Sequence, residues 1–338
     1  MTQITIVQNL PEQQWRSFVD QHPDSNIFHT PEMYEVFSHA HNHEPELWAA
    51  VSGDRILALL LPVRIHTLTR FLRRLTTRAI AYGGVLYAQD QDGPDGMEKL
   101  LQAYKQSMRK STLFIELRNM ADLSAMQPTL GNCHYAFVDY LNYLVDTDLP
   151  VDQVWKNISK SAKKNITKAL NKNQFEILEA QELSQVEICY GILKTTYTNA
   201  HIPLADYSLF EAAFITLQPK SMVKFFLGRV KGQNVAASVL LIYKDVIYGW
   251  YRGFDRAYAS YLPNDLMVWN TLKWAAENHF RIFDFGGAGK PDEIYGPRQF
   301  KAKFGGKEVN YGRNICVYSP SLLRISKYGY EFFRHLPQ

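Results

Sequence analysis

The chain has 338 residues, 46% hydrophobic and 21% charged, which suits a globular protein of about two domains with sizeable cores. Its longest apolar run, residues 56–63, is strand-sized and well short of the ~20 residues of a spanning helix. The start MTQITIVQNLPEQQW lacks the basic-then-apolar order of a secretion signal. The cysteines Cys133, Cys189 and Cys316 are odd in number and far apart, which argues against a disulfide framework and fits a reducing, cytoplasmic setting.

The net charge of +4 is unevenly spread. From Arg55 to Gln89 there are six arginines and no acid, and from Trp155 to Gln174 six lysines and no acid. Such blocks suit nucleic acid, nucleotide phosphates or membrane lipid, or form a plain solvated face.

Along the chain, His39, His41 and His43 step by two residues, with no cysteine or carboxylate tied to them, so no metal site is expected. Next comes an internal repeat. Val51-Ser-Gly53-Asp-Arg-Ile56-Leu-Ala58 matches Val230-Lys-Gly232-Gln-Asn-Val235-Ala-Ala237, both V-x-G-x-x-[IV]-x-A. Each lies between apolar stretches and predicts a hairpin. Each hairpin leads to a tyrosine- and glycine-rich strand, AIAYGGVLYA or VIYGWYRGF. Then come a helix, residues 96–110 or 265–278, and a short strand, TLFIELR or RIFDFGG. The order predicts two similar α/β (α+β) domains, at 1–150 and 173–338.

The segment 151–172 between them predicts one basic linker helix. Trp155, Ile158, Ala162, Ile166 and Ala169 share a face, with Lys156, Lys160, Lys164, Lys168 and Lys172 on the other side. Asp152 suits the helix start. Six lysines without an acidic neighbour forgo every i,i+4 ion pair, so the ridge is read as binding an anion.

In the second copy, alternation along the strand sets Tyr248 and Arg252 on one face, available to line a cleft or to pack in the core. The following DFGGAGKPDEIYGPRQFKAKFGG, residues 284–306, has six glycines and two prolines and reads mostly as loop. A phosphate cradle, a substrate loop and a plain connection all fit. Pattern alone makes Lys301 a surface lysine of an amphipathic strand or turn. Asp284 either takes a proton from an attacking amine or, by preference, accepts backbone N–H bonds in the glycine turn.

The element order, with FDFGG and QFKAKFGG in the second half and a lysine-rich helix between the halves, resembles the Fem family of aminoacyltransferases (FemA, FemB, FemX and FemAB-like relatives). The segments Asn26-Ile-Phe28-His-Thr-Pro31-Glu-Met-Tyr34, Leu272-Lys-Trp274-Ala275 and Phe300-Lys301 carry the likeness further. His29 and Tyr34 stand where members acting on peptidoglycan carry glutamine and tryptophan, and no helical-hairpin arm is expected.

The resemblance implies two tandem GNAT-like domains of the acyl-CoA N-acyltransferase type, joined by the basic helix. The first would hold the acceptor and the second the acyl donor. It implies transfer of an aminoacyl group from aminoacyl-tRNA to an amine of a phosphate-bearing cell-wall precursor, with peripheral membrane contact. Lys301 would stabilise the tetrahedral oxyanion, and Phe300 would stack on the donor's terminal base or ribose. Arg73 and Arg74, or Lys160, Lys164 and Lys168, would hold phosphates, and Tyr34 would contact the acceptor. No bound cofactor is implied. The stretches FDRAYASYLPNDL, without glycine, and QDQDGPDGM, acidic, make poor coenzyme A pyrophosphate loops. Two alternatives stay open: an acyl-CoA-dependent N-acetyltransferase acting on an amino sugar or amino acid, and a non-catalytic RNA- or polysaccharide-binding protein.

Overall fold

The computed structural model describes residues 3–66, 76–172 and 174–324. The chain divides into two compact units, Met1–Asp139 with Tyr311–Gln338, and Tyr140–Asn310.

The first unit opens with β1 (Thr5–Val7), α1 (Glu12–Gln21) and α2 (Pro31–His39), the last capped by the Thr30 hydroxyl, which accepts the Met33 N–H. There follow β2 (His43–Pro45), β3 (Trp48–Ser52), β4 (Arg55–Leu60), β5 (Val63–Ile65), β6 (Arg78–Gly83) and β7 (Val85–Tyr87). Then come α3 (Gly93–Met108), β8 (Phe114–Asn119), α4 (Gln127–Asn132) and β9 (Ala136–Val138). β3 and β4 form the expected hairpin around Gly53, and β6 runs parallel to β8. Helix α3 buries Met97, Leu100, Leu101 and Tyr104 in the core of this unit.

The second unit contains β10 (Asn142–Asp146), α5 (Val151–Asn157), α6 (Lys160–Leu170), β11 (Phe175–Glu179), α7 (Leu183–Asn199) and α8 (Tyr207–Leu217). It continues with β12 (Val223–Val230), β13 (Gln233–Tyr243), β14 (Val246–Phe254), α9 (Pro263–Glu277), β15 (Ile282–Gly287), α10 (Gly296–Lys301) and β16 (Lys307–Val309). Its seven-stranded sheet has the order β11-β12-β13-β14-β15-β10-β16. The β12–β13 hairpin turns through Lys231 and Gly232, both at positive φ (50° and 79°), the backbone that tight hairpin turns favour. The repeat is real: hairpin, strand, helix and a closing strand recur in both units, with β8 parallel to β6 and β15 parallel to β14.

The boundaries differ from the expected 150 and 172. β10 pairs with β15 and β16, so it belongs to the second sheet. The last strand, β17 (Arg313–Val317), pairs with β8 and β9 in the six-stranded sheet of the first unit. A strand's N–H and C=O groups must be paired wherever it is buried, and each unit takes one strand from beyond the expected boundary to do so.

The predicted linker is also corrected. It is two helices, broken at Ile158–Ser159, where the Ser159 hydroxyl caps α6 by accepting the Ala162 N–H. Trp155 therefore sits on α5 and packs on Trp269 of α9, while Ala162, Ile166 and Ala169 of α6 join the core of the second unit.

Candidate active site

β14 and β15 pair in parallel only over Val246–Tyr248 and Ile282–Asp284, and then they part. What fills the opening decides the chemistry. Beyond the expected loop, residues 296–301 fold into α10, so Lys301 ends a helix and is buried at 8% exposure rather than lying on a surface turn. Its Nζ donates to the carbonyls of Phe285 (2.8 Å), Gly286 (3.1 Å) and Gly287 (2.7 Å). Three N–H groups meet three successive carbonyls of β15, just beyond the point where its pairing with β14 stops. Burial, and then the neighbouring Arg252, push the Lys301 ammonium down to about 7, against the pull of Asp284.

Asp284 is 3% exposed. Its Oδ1 accepts the N–H of Gly286 at 2.7 Å, the structural use preferred from the sequence. Burial pushes its carboxyl up to about 6, against the Gly286 hydrogen bond and the charge of Lys301. Gly286 takes φ +69°, a backbone conformation that favours glycine, and a Cβ there would lie 3.1 Å from the Tyr248 hydroxyl and crowd it.

Simple alternation misplaces Arg252. The β13–β14 ladder slips between Val239 and Leu240, so Trp250 is an extra residue and every later side chain changes face. Tyr248 pairs with Leu241 and Tyr251 with Val239, while Arg252 pairs with Ser238. Tyr248 and Arg252 are thus on opposite faces. Tyr251 packs on Phe210 of α8 and Tyr197 of α7. The Arg252 guanidinium lies over the rings of Phe300 (5.2 Å) and Phe285 (5.7 Å). Phe300 is partly buried against Phe304.

The opening thus gathers Lys301, Asp284, Phe300, Tyr248 and Arg252 around the ends of β14 and β15. The other expected residues lie elsewhere. Lys160, Lys164 and Lys168 are exposed on α6, with no ion pair among the described residues. Tyr34 is on α2 of the first unit, edge-on to Trp15 at 5.7 Å. Arg73 and Arg74 lie outside the described residues. One contributor escaped sequence reading: Arg298 donates to the carbonyls of Ala288, Lys290, Pro291 and Glu293 and so knits the loop that leads into α10. Nothing in GPRQFK marks its arginine as a loop clamp.

The turn before α9, where the GNAT fold would place a coenzyme A pyrophosphate, fits that group poorly. Leu262 is left-handed (φ 56°), Pro263 opens the helix without an N–H, and Asp265 places an acid in the first turn.

This architecture is a twin-GNAT fold. Residues 159–301 match the family described as Acetyltransferase (GNAT) domain. Among solved structures the chain resembles FemX, at 13% identity and TM-score 0.72, covering 95% of this chain and 99% of that one. It also resembles a tandem GNAT protein from the clavulanic acid biosynthesis pathway (9% identity, TM-score 0.61, 94% and 100% covered). A third likeness is to the C-terminal domain of a putative lysylphosphatidylglycerol synthetase from Agrobacterium fabrum (11% identity, TM-score 0.59, 95% of each chain covered). No curated protein sequence matches. The fold is that of the FemAB-like proteins, two GNAT-type units in one chain. No helix among the described residues is long and apolar enough to cross a membrane.

Proposed function

We propose that the protein is an N-acyltransferase of the FemAB type, moving an aminoacyl group from aminoacyl-tRNA to an amine of a cell-wall precursor. The observation that carries this reading is the opening between β14 and β15, floored by Asp284 and closed by the buried Lys301 ammonium. In such a transfer an amine attacks an ester carbonyl, a C–N bond forms, and negative charge gathers on the carbonyl oxygen. The ester C–O bond then breaks and the leaving oxygen takes a proton that the amine has lost. A fixed cation in a water-poor cleft stabilises that charge. Lys301 supplies the field while its three N–H groups stay on carbonyls, and it meets the oxyanion directly only by releasing one of them. Asp284 holds the Gly286 turn, so the amine's proton leaves through substrate or solvent. Phe300 offers a ring on which a base or ribose can stack.

The poor pyrophosphate fit before α9 favours a donor other than acyl-CoA. Lys160, Lys164 and Lys168 of α6, exposed and without an ion pair among the described residues, suit a phosphate-rich donor such as tRNA. The acceptor and the identity of the aminoacyl group belong to the same proposal, as does a cytoplasmic location. The second reading, acyl-CoA-dependent N-acetylation, draws on the family match over residues 159–301.

The deciding experiment is binding of labelled aminoacyl-tRNA at several salt concentrations, with acetyl-CoA as competitor. Salt-dependent binding that acetyl-CoA leaves intact supports the tRNA donor. Saturable acetyl-CoA binding without tRNA binding replaces it with the second reading.

A further inference from the structure

Two cations stand at the opening, and only one is satisfied. The three N–H groups of Lys301 are bonded to carbonyls of residues 285–287. Arg252 is different. Its guanidinium is covered by the rings of Phe300 and Phe285, and it makes no hydrogen bond or ion pair with the described residues. The side chain still has partial access to solvent. Its charge is desolvated enough to bring its pKa down to about 10, although Tyr197 and Asp265 lie within electrostatic reach. A planar cation held by two rings, with its five donors unspent, lacks an anion.

Resting on the acyltransferase reading, we infer that Arg252 anchors a carboxylate of the substrate, held by bidentate N–H···O bonds beside Phe300. The fork matches two oxygens of a carboxylate or a phosphate alike, and the local charge chooses the carboxylate. The ring over the guanidinium leaves its edge, not its face, for the ligand. The local charges are nearly balanced: Arg252, Lys301 and Lys303 stand against Asp284 and Asp265, leaving one positive charge for a monoanion to neutralise. The bulge at Trp250 matters here, because without the extra residue Arg252 would leave this face.

The test uses the full chain with sodium acetate as probe, at ionic strength fixed by chloride. Binding is read by saturation-transfer NMR of the acetate methyl group and by the shift in melting temperature. The wild type is expected to show the transfer signal and an upward shift. Arg252→Gln should lose both. Arg252→Lys, which keeps the charge but not the fork, should fold normally and show a weakened signal. A folded Arg252→Lys that keeps the full wild-type signal overturns the inference, so the test decides even where Arg252→Gln does not fold. A signal that survives in Arg252→Gln, or none in the wild type, overturns the inference. Displacement of acetate by inorganic phosphate at a lower concentration overturns the choice of carboxylate. Failure of the acyltransferase reading is separate: no transfer from any donor would leave the acetate result standing.

Discussion

The Lys301 ammonium stands 2.7 Å from the carbonyl of Gly287, the residue that closes β15. With the Phe285 and Gly286 carbonyls, this contact makes one side chain the seal of a parting strand pair. The lysine satisfies these backbone acceptors, and under the proposed transfer its charge would also serve the tetrahedral intermediate.

Lys301→Met keeps the aliphatic stem and removes the charge. Three carbonyls lose their partner, so stability should fall by about 2–4 kcal/mol in urea unfolding. This is more than the small loss a loop lysine would give. Turnover in a single-turnover transfer assay should fall on the order of a hundredfold or more. Unchanged turnover in a folded variant would remove Lys301 from the chemistry.

The pH dependence of stability should carry two opposite signatures. Lys301 sits near 7 in the folded chain against an ordinary 10.5, so between these values the unfolded chain binds the extra proton and stability rises with pH. Asp284 sits near 6 against an ordinary 3.8, so between those values the folded chain holds the extra proton and stability falls as pH rises. Urea unfolding at pH 5, 7 and 9 should show Lys301→Met without the rise above pH 7 and Asp284→Asn without the fall below pH 6. Curves parallel to the wild type would contradict both assignments.

Gly286→Ala should destabilise the second unit by about 1–2 kcal/mol. The substitution forces an alanine into φ +69° and presses its Cβ toward the Tyr248 hydroxyl. Thermal unfolding of the variant checks this. A melting temperature equal to the wild type would mean that the turn relaxes freely.

Reversal of Lys160, Lys164 and Lys168 to Glu should weaken tRNA binding and flatten its dependence on salt, because each lost phosphate contact removes about one unit of slope. The three side chains are exposed and outside the core, so the fold should hold. Filter binding across a salt series decides; an unchanged slope makes α6 a structural element only.

The sequence by itself determined the repeated units. Turn glycines at 53 and 232, alternating apolar strands and a helix before each closing strand are local signals, and local propensity and periodicity carry them. The apolar seam of residues 158–169 was legible for the same reason, whereas the Ser159 cap splits the helix without breaking that periodicity. Long-range pairing was not legible. Which sheet receives β10 and β17 depends on partners more than a hundred residues away in sequence, such as Asn142 with Gly287 and Arg313 with Arg118. The site divides along the same line. Tyr248, Arg252 and Asp284 were legible as candidates in the strand and turn pattern, and the roles of Lys301 and Phe300 came from the resemblance. Their arrangement was decided only by the tertiary structure: one bulged residue at 250 turned Arg252 away from the face of Tyr248, and α10 folded Lys301 inward onto three carbonyls. A single-residue slip reverses every side chain beyond it, and a buried cation goes where backbone acceptors wait.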